Sequence, residues 1–114
     1  VWFALERSDE TNGAIFYFKG SHKLGLLEHT SSFAPGSSQK IRYESGLNLF
    51  NRSMPILEKG DCLFHNCLVA HGSKKNISKK SRTGLTLRFK NKATKVDEIQ
   101  RKMYENQLNK QLKK

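Results

Sequence analysis

The stretch that decides the fold is residues 60–89, GDCLFHNCLVAHGSKKNISKKSRTGLTLRF. It opens with a Gly-Asp turn and a short apolar run, and then reaches His71-Gly72-Ser73. A lysine-rich polar loop follows, and Arg82 begins a second strand-like segment. Histidine is a common metal ligand, and arginine can grip a carboxylate with two parallel hydrogen bonds. Taken alone, this spacing only slightly favours a metal-and-anion site over an ordinary pair of strands.

The geometry expected of these two strands brings their polar side chains together. His71 and Arg82 are eleven residues apart, and a hairpin of that length would place them side by side. Ser73 shares the face of His71 if the strand continues. Gly84 and Thr86 follow Arg82 on its own face and are small enough to leave a cavity. Three apolar residues on the opposite face are expected to pack: Leu85, Leu87 and Phe89.

The remainder of the chain predicts a mainly β domain. Apolar runs at residues 1–5 and 14–18 flank a polar loop that ends in Asn12-Gly13, and they predict a hairpin. Further strands are expected at residues 55–57, 62–66, 68–71 and 83–89. Residues 24–52 are expected to be a long irregular segment with short strands at 41–43 and 47–50. Such a segment at the mouth of a barrel would influence the choice of substrate.

The end of the chain changes character and predicts a helix over residues 94–111. Thr94 and Asp97 have the spacing of a capping box. An apolar stripe at helical spacing is expected to pack against the strands: Val96, Ile99, Met103, Tyr104, Leu108 and Leu112. Strands followed by one helix indicate an antiparallel sandwich or barrel with the helix outside.

Composition limits the classes of function. The 114 residues suffice for one small domain and carry a net charge of +11. Residues 74–114 hold fourteen basic and three acidic residues, whereas residues 1–73 are balanced. The lysines are not interleaved with aromatic residues, so a solvated surface is favoured over a nucleic-acid or other polyanion site. No apolar stretch is long enough to span a membrane. Cys62 and Cys67 form a C-x₄-C arrangement without a second pair, which disfavours a structural zinc site and predicts free thiols and a cytoplasmic location.

Several motifs, in order and at matching separations, resemble the phytanoyl-CoA dioxygenase family of iron(II)/2-oxoglutarate oxygenases. The carboxy-terminal pattern comprises Gly60, Asp61, Phe64, His65, His71, Gly72, Ser73, Asn76, Ser78 and Arg82. Upstream, the segments that begin at Trp2, Asn12 and Gly20 resemble the W-x-A-L, N-G-x and P-G-S-H-K segments of the family. The resemblance covers residues 1 to about 90.

The resemblance implies a fold, a reaction and a role for four residues. The fold would be part of a double-stranded β-helix, which is a cupin-like jelly-roll, over residues 1–92, with a basic helix over 93–114. His71 would be the distal ligand of a 2-His-1-carboxylate iron(II) site. Arg82 would bind the C5 carboxylate of 2-oxoglutarate, with Ser73 and Trp2 beside that cosubstrate. The implied reaction converts 2-oxoglutarate to succinate and CO₂ while a C–H bond of a small-molecule substrate is hydroxylated.

Two departures from the family pattern qualify this implication. The two proximal iron ligands form an H-x-D pair in the family, and no His-x-Asp or His-x-Glu occurs in this chain. Because Val1 opens an apolar strand-like run, we expect the chain to be the carboxy-terminal part of a longer protein and to be inactive alone. The second departure is Lys19, which replaces the proline of the P-G-S-H-K turn.

Two other functions are compatible with the residues. A non-catalytic jelly-roll binding module could use the basic tail to bind polyanions, in which case binding would weaken steeply with salt and ignore Arg82→Ala. A cupin-type hydrolase or isomerase could use His65 and His71, but this is the weakest reading because no carboxylate lies near them in the motif. The sequence indicates neither the substrate nor the oligomeric state.

Overall fold

The computed structural model describes residues 1–34 and 37–112 and confirms a mainly β chain with a carboxy-terminal helix. The described elements are β1 (Trp2–Ala4), β2 (Ile15–Phe18), β3 (His29–Ala34), β4 (Ser37–Ile41), β5 (Arg52–Ser53), β6 (Cys62–Leu63), β7 (His71–Ser73), β8 (Gly84–Thr86) and α1 (Glu98–Leu112). They form two compact units, residues 1–26 with 45–89 and residues 27–44 with 90–114. The expected division between residues 92 and 93 stays a prediction.

The first unit contains two three-stranded antiparallel sheets. One has the order β6-β1-β8, with Trp2 opposite both Leu63 and Thr86. The other has the order β5-β2-β7, with Tyr17 opposite both Ser53 and His71. Each of β1 and β2 thus lies at the centre of its own sheet, between two strands that come later in the chain.

The predicted hairpin between the first two strands is wrong. β1 and β2 lie in different sheets, and both partners of β1 are distant in sequence. The reason lies in the loop between them, which closes on itself. Within this loop the backbone NH of Asp9 donates to the Asn12 side chain, and that of Ala14 donates to the Asp9 carbonyl. The Asn12-Gly13 turn signal was therefore read correctly, but the turn does not join neighbouring strands.

The hydrophobic core of the first unit is small. Trp2, Ala4 and Leu57 form its buried cluster, with the partly buried Ile15 and Leu63 packed against it. Burial of these side chains holds the first sheet against β2 of the second. The three apolar residues expected to pack behind Arg82 are instead exposed by 42–79%: Leu85, Leu87 and Phe89.

The second unit pairs a hairpin with the helix. β3 and β4 form an antiparallel pair in which His29 lies opposite Ile41. Residues 24–52 are therefore not the irregular segment expected, because cross-strand pairing outweighs their weak local strand signal. The strand expected at residues 47–50 is a 3₁₀ turn over Leu47–Leu49, preceded by Gly46 in the left-handed conformation.

Helix α1 is present, but its cap and its packing differ from expectation. Asp97 is the N-cap residue, because its carboxylate accepts from the backbone NH groups of Ile99 and Gln100. The Thr94 capping box is therefore wrong. No residue of α1 is buried, and five members of the predicted apolar stripe are exposed: Val96, Ile99, Met103, Tyr104 and Leu112.

The helix contacts the hairpin through hydrogen bonds of glutamine side chains. The Gln107 carbonyl oxygen accepts from the Gln39 side chain at 2.9 Å, and that of Gln111 accepts from the backbone NH of Phe33 at 3.1 Å. Among the described residues, no helix has the length and apolar character needed to span a membrane.

Candidate active site

The ring of His71 is held so that one nitrogen is available to a ligand. His71 is exposed at the start of β7, and its Nδ1 lies 2.8 Å from the Val69 carbonyl oxygen. Because a carbonyl only accepts, Nδ1 carries the proton and donates. In the neutral imidazole, Nε2 then keeps its lone pair, and this is the tautomer that a histidine ligand to a metal requires.

The backbone just before His71 is fixed on both sides. The NH of the buried Ala70 donates to the Ser21 hydroxyl at 2.9 Å, and its carbonyl accepts from the NH of Phe18 at 3.0 Å. Ser21 is completely buried. Ser21 belongs to the G-S-H-K segment, so this motif positions His71.

Three aromatic rings form a cluster in the first unit. The centroids of Tyr17 and His71 are 5.8 Å apart with the rings nearly parallel, and His65 lies 5.2 Å from each of them. Burial lowers the pKa of His65, and the neighbouring His71 lowers it further. A cleft of about 360 Å³ opens beside His65, with Phe64 and Phe89 in its wall.

Arg82 is placed by Trp2. Its guanidinium carbon lies 5.7 Å from the centre of the Trp2 ring, within the range of a cation–π contact. Trp2 is only 7% exposed. Its indole packs on Gly84, where an added Cβ would overlap the ring and lie 2.6 Å from Nε1. Gly84 is therefore required for Trp2 to occupy its position beneath Arg82.

The residues that flank Arg82 are held by Glu6, which sequence reasoning missed. One Glu6 carboxylate oxygen accepts from the Ser81 hydroxyl at 2.7 Å, and the other accepts from the Thr83 backbone NH at 2.8 Å. Hydrogen bonds to Thr83 and Ser81 lower the pKa of Glu6. The position of Glu6 directly after the first strand was the available signal, but its partners are distant in sequence.

The loop between His71 and Arg82 is attached to the Asn12-Gly13 turn. The Asn12 side chain donates to the carbonyls of Arg7 and Ser81, and Asn12 is only 3% exposed. Gly13 has a φ of 83°, and an added Cβ would lie 2.7 Å from the Lys74 carbonyl oxygen. The N-G pair therefore allows the loop to approach closely.

Asn76 and Ser78, the N-x-S part of the motif, make hydrogen bonds within the same loop. The Asn76 side-chain oxygen accepts from both the NH and the hydroxyl of Ser78, and its NH₂ group donates to the Lys80 carbonyl. These bonds form a local turn two residues before Arg82. Asn76 and Ser78 thus help to determine where Arg82 begins.

The structure places two of the four predicted site residues, Trp2 and Arg82, in contact, and the strands of the expected hairpin do not pair. β7 and β8 belong to different sheets. The Tyr17 ring stacks on His71, and the positive charge of Arg82 opposes the rise in the pKa of the Tyr17 phenol. Trp2 contacts Arg82. Ser73 is exposed, two residues after His71 in β7, and its role stays a prediction.

Among the described residues, the side chains oriented to bind a metal amount to one ligand, His71. Across residues 1–34 and 37–112, no group of three His, Cys, Asp or Glu side chains is arranged to hold a metal. His71 supplies one correctly oriented nitrogen, and His65 is the nearest second one. A three-ligand iron site therefore needs donors beyond those described.

The loop between β1 and β2 contains Asp9, and this carboxyl allows a prediction of how the stability of the fold depends on pH. Hydrogen bonds from Thr11 lower the pKa of Asp9 to about 2, from an ordinary value of 3.8. A depressed carboxyl pKa adds stability that is complete above pH 3.8 and is lost as the pH falls towards 2. We expect an NMR titration to give this value, and Asp9→Asn to flatten the stability profile over that interval. An Asp9 pKa of 3.8 or higher would contradict the prediction.

Comparison with known proteins agrees with the motifs. The profile of the phytanoyl-CoA dioxygenase (PhyH) family matches residues 1–84. The chain belongs to the phytanoyl-CoA dioxygenase family. This family is one of dioxygenases, so the chain is related to enzymes, and the matched range contains Trp2, His71, Ser73 and Arg82.

Individual relatives are peroxisomal phytanoyl-CoA dioxygenases of mammals. That of Mus musculus is 29% identical over 93 residues, and that of Homo sapiens is 27% identical over 93 residues. The Bos taurus protein is 27% identical over 100 residues. In each case the alignment covers 78% of this chain and 27% of the relative, so the chain spans about a quarter of the length of these proteins. No solved structure matches the chain significantly.

Proposed function

We propose that this chain supplies the distal iron ligand and the cosubstrate anchor of an iron(II)/2-oxoglutarate-dependent dioxygenase that hydroxylates a small molecule. The observation that carries the proposal is the orientation of His71, whose Nδ1 donates to the Val69 carbonyl and leaves Nε2 to face a metal. His71 stacks on Tyr17, and the charge of Arg82 also acts on the Tyr17 phenol. A metal ligand together with a carboxylate-binding arginine suits a cosubstrate that is held at both ends.

Each residue has a defined task in this proposal. Iron(II), when bound, would activate dioxygen and couple 2-oxoglutarate decarboxylation to hydroxylation of the substrate. His71 would hold the metal through Nε2, because the bond from Nδ1 to Val69 fixes the ring. Arg82 would bind the far carboxylate in a bidentate manner, with its guanidinium kept in place by Trp2. The other two iron ligands would come from residues outside this chain.

The alternative functions lack a comparable observation. His65 and His71 lie close together, but no carboxylate completes a three-donor group among the residues that the structure describes. The basic tail offers charge without an accompanying nucleic-acid motif. A cytoplasmic location stays a prediction.

The test is succinate formation by a protein that carries this chain together with the sequence encoded upstream of it. With iron(II) and 2-oxoglutarate present, we expect turnover that His71→Ala abolishes. Arg82→Ala should raise the KM for 2-oxoglutarate about a hundredfold, since loss of a hydrogen-bonded charge partner typically costs about 2–5 kcal/mol. Arg82→Lys should recover only part of this affinity, because lysine cannot form the bidentate pair.

Arg88→Ala is the matched control, because Arg88 is exposed and follows Arg82 in the same segment. It should leave KM unchanged. Equal effects of the two arginine substitutions would indicate general electrostatic attraction and contradict the anchor. Full activity in His71→Ala would exclude the proposed metal ligand.

A further inference from the structure

One buried polar group has no role in the site described so far. Tyr17 is 9% exposed and lies in the middle of its sheet, between β5 and β7. Its hydroxyl is the one buried side-chain polar atom in the described part of the chain without a hydrogen-bond partner. Burying an unpaired hydroxyl costs free energy, so such a group in a folded protein calls for an explanation.

The surroundings of the hydroxyl indicate the kind of partner that it lacks. The Tyr17 ring packs against His65 and His71, and the positive charge of Arg82 favours negative charge at its phenol. Arginine only donates hydrogen bonds, so Arg82 can accept nothing from the tyrosine. A group that satisfies both must accept from each of them, and an anion such as a carboxylate does so.

The protonation state of the phenol suits donation. Burial raises the pKa of Tyr17, while the charge of Arg82 opposes this rise. A tyrosine phenol has an ordinary pKa of about 10, so near pH 7 it carries a proton that a carboxylate would accept. The hydrogen bond would be charge-assisted, and such bonds are roughly twice as strong as those between neutral groups.

We propose that the Tyr17 hydroxyl is a second donor to the carboxylate bound by Arg82, and thus a binding residue for the dicarboxylate cosubstrate. This inference rests on the proposed function, since it adds a residue to the same site. Sequence reasoning assigned Tyr17 only to a strand. Arg82 would supply a positive charge to the carboxylate, and the Tyr17 hydroxyl would donate a directional hydrogen bond to it.

The test compares the 114-residue chain with its Tyr17→Phe variant without metal. The probes are 2-oxoglutarate and glutarate, and ligand-observed NMR gives Kd values. Glutarate keeps both carboxylates but lacks the keto oxygen, so it isolates recognition of the carboxylate. We expect Tyr17→Phe to weaken the binding of both probes about ten- to a hundredfold, the range for a hydrogen bond to a charged group. Tyr43→Phe is the control, because Tyr43 is 57% exposed.

A second measurement separates binding from folding. Removing a hydroxyl that has no partner should leave the melting temperature of the unliganded chain unchanged or raise it. The dicarboxylate should stabilise Tyr17→Phe less than it stabilises the unsubstituted chain. A lowered melting temperature without ligand, together with unchanged affinity, would show a purely structural role and overturn the inference.

The outcomes also separate this inference from the proposed function. If Arg82→Ala weakens binding and Tyr17→Phe does not, the role of Tyr17 is wrong and the anchor stands. If the unsubstituted chain binds neither dicarboxylate, or if Arg82→Ala leaves its affinity unchanged, the proposed anchor itself is wrong. The loss of affinity in both variants, but not in Tyr43→Phe, is the expected result.

Discussion

Replacing Gly84 with alanine is expected to destabilise the first unit by about 1–3 kcal/mol and to weaken binding of 2-oxoglutarate. The new methyl group would occupy space that the Trp2 indole fills. Trp2 cannot yield easily, because it is 7% exposed and packed with Ala4 and Leu57 in the core. Any movement of the indole also removes the surface beneath Arg82. Chemical denaturation and a 2-oxoglutarate titration measure the two effects.

The comparison that isolates this clash uses the same strand. Thr86→Ala lies two residues further along β8 at an exposed position and should cost little. In a Trp2→Phe background, the penalty of Gly84→Ala should shrink, because the smaller ring removes part of the overlap. A penalty that is the same in both backgrounds would show that Gly84 acts through the backbone rather than through Trp2.

Some of the strands were predictable, and their pairing was not. The apolar runs around Trp2 and Tyr17 fall in β1 and β2 as expected. Which strands pair depends on contacts such as Trp2 with Thr86, which are far apart in sequence and leave no local signal. The predicted hairpin between His71 and Arg82 failed for this reason, since β7 and β8 lie in different sheets.

The sequence could predict residues of the candidate site only where they belong to motifs of a known family. His71, Arg82 and Trp2 were predicted as site residues because they match ordered segments of a known family, whose profile covers them. Tyr17 could not be identified, since the lack of a partner for its hydroxyl is a property of the folded chain. Its place in the strand-forming run AIFYF gave the strand but not the site.

For the helix, the sequence predicted the element but not how it packs. Its existence follows from periodicity and composition, and α1 begins four residues after and ends one residue after the expected bounds. Its packing does not follow, because Ile99 and Leu112 share the apolar stripe but are 75% and 76% exposed. Gln107 and Gln111, which sequence reasoning treated as ordinary polar positions, make the contacts with the hairpin.

Replacing Ser21 with alanine is expected to cost about 1–3 kcal/mol of unfolding free energy, although only one oxygen atom is lost. The Ser21 hydroxyl accepts from the backbone NH of Ala70, and both residues are buried. Without the hydroxyl, this NH has no acceptor in its place and no access to bulk water. The stability measured by urea denaturation should fall without a change in the m-value, because the same surface is exposed on unfolding.

The same substitution should also disturb His71, which separates a positioning role from a purely structural one. Ala70 precedes His71, and the bond from His71 Nδ1 to Val69 depends on the path of this backbone. We expect Ser21→Ala to shift the His71 ring resonances in NMR spectra and to weaken the binding of a divalent metal at Nε2. His22→Ala, at the exposed neighbouring position, should do neither. Ser21→Thr keeps the hydroxyl and should restore the His71 resonances if its extra methyl group is accommodated. Unchanged His71 resonances in Ser21→Ala would show that the G-S-H-K segment contributes only to the stability of the fold. A shift of these resonances would show that the segment also positions His71.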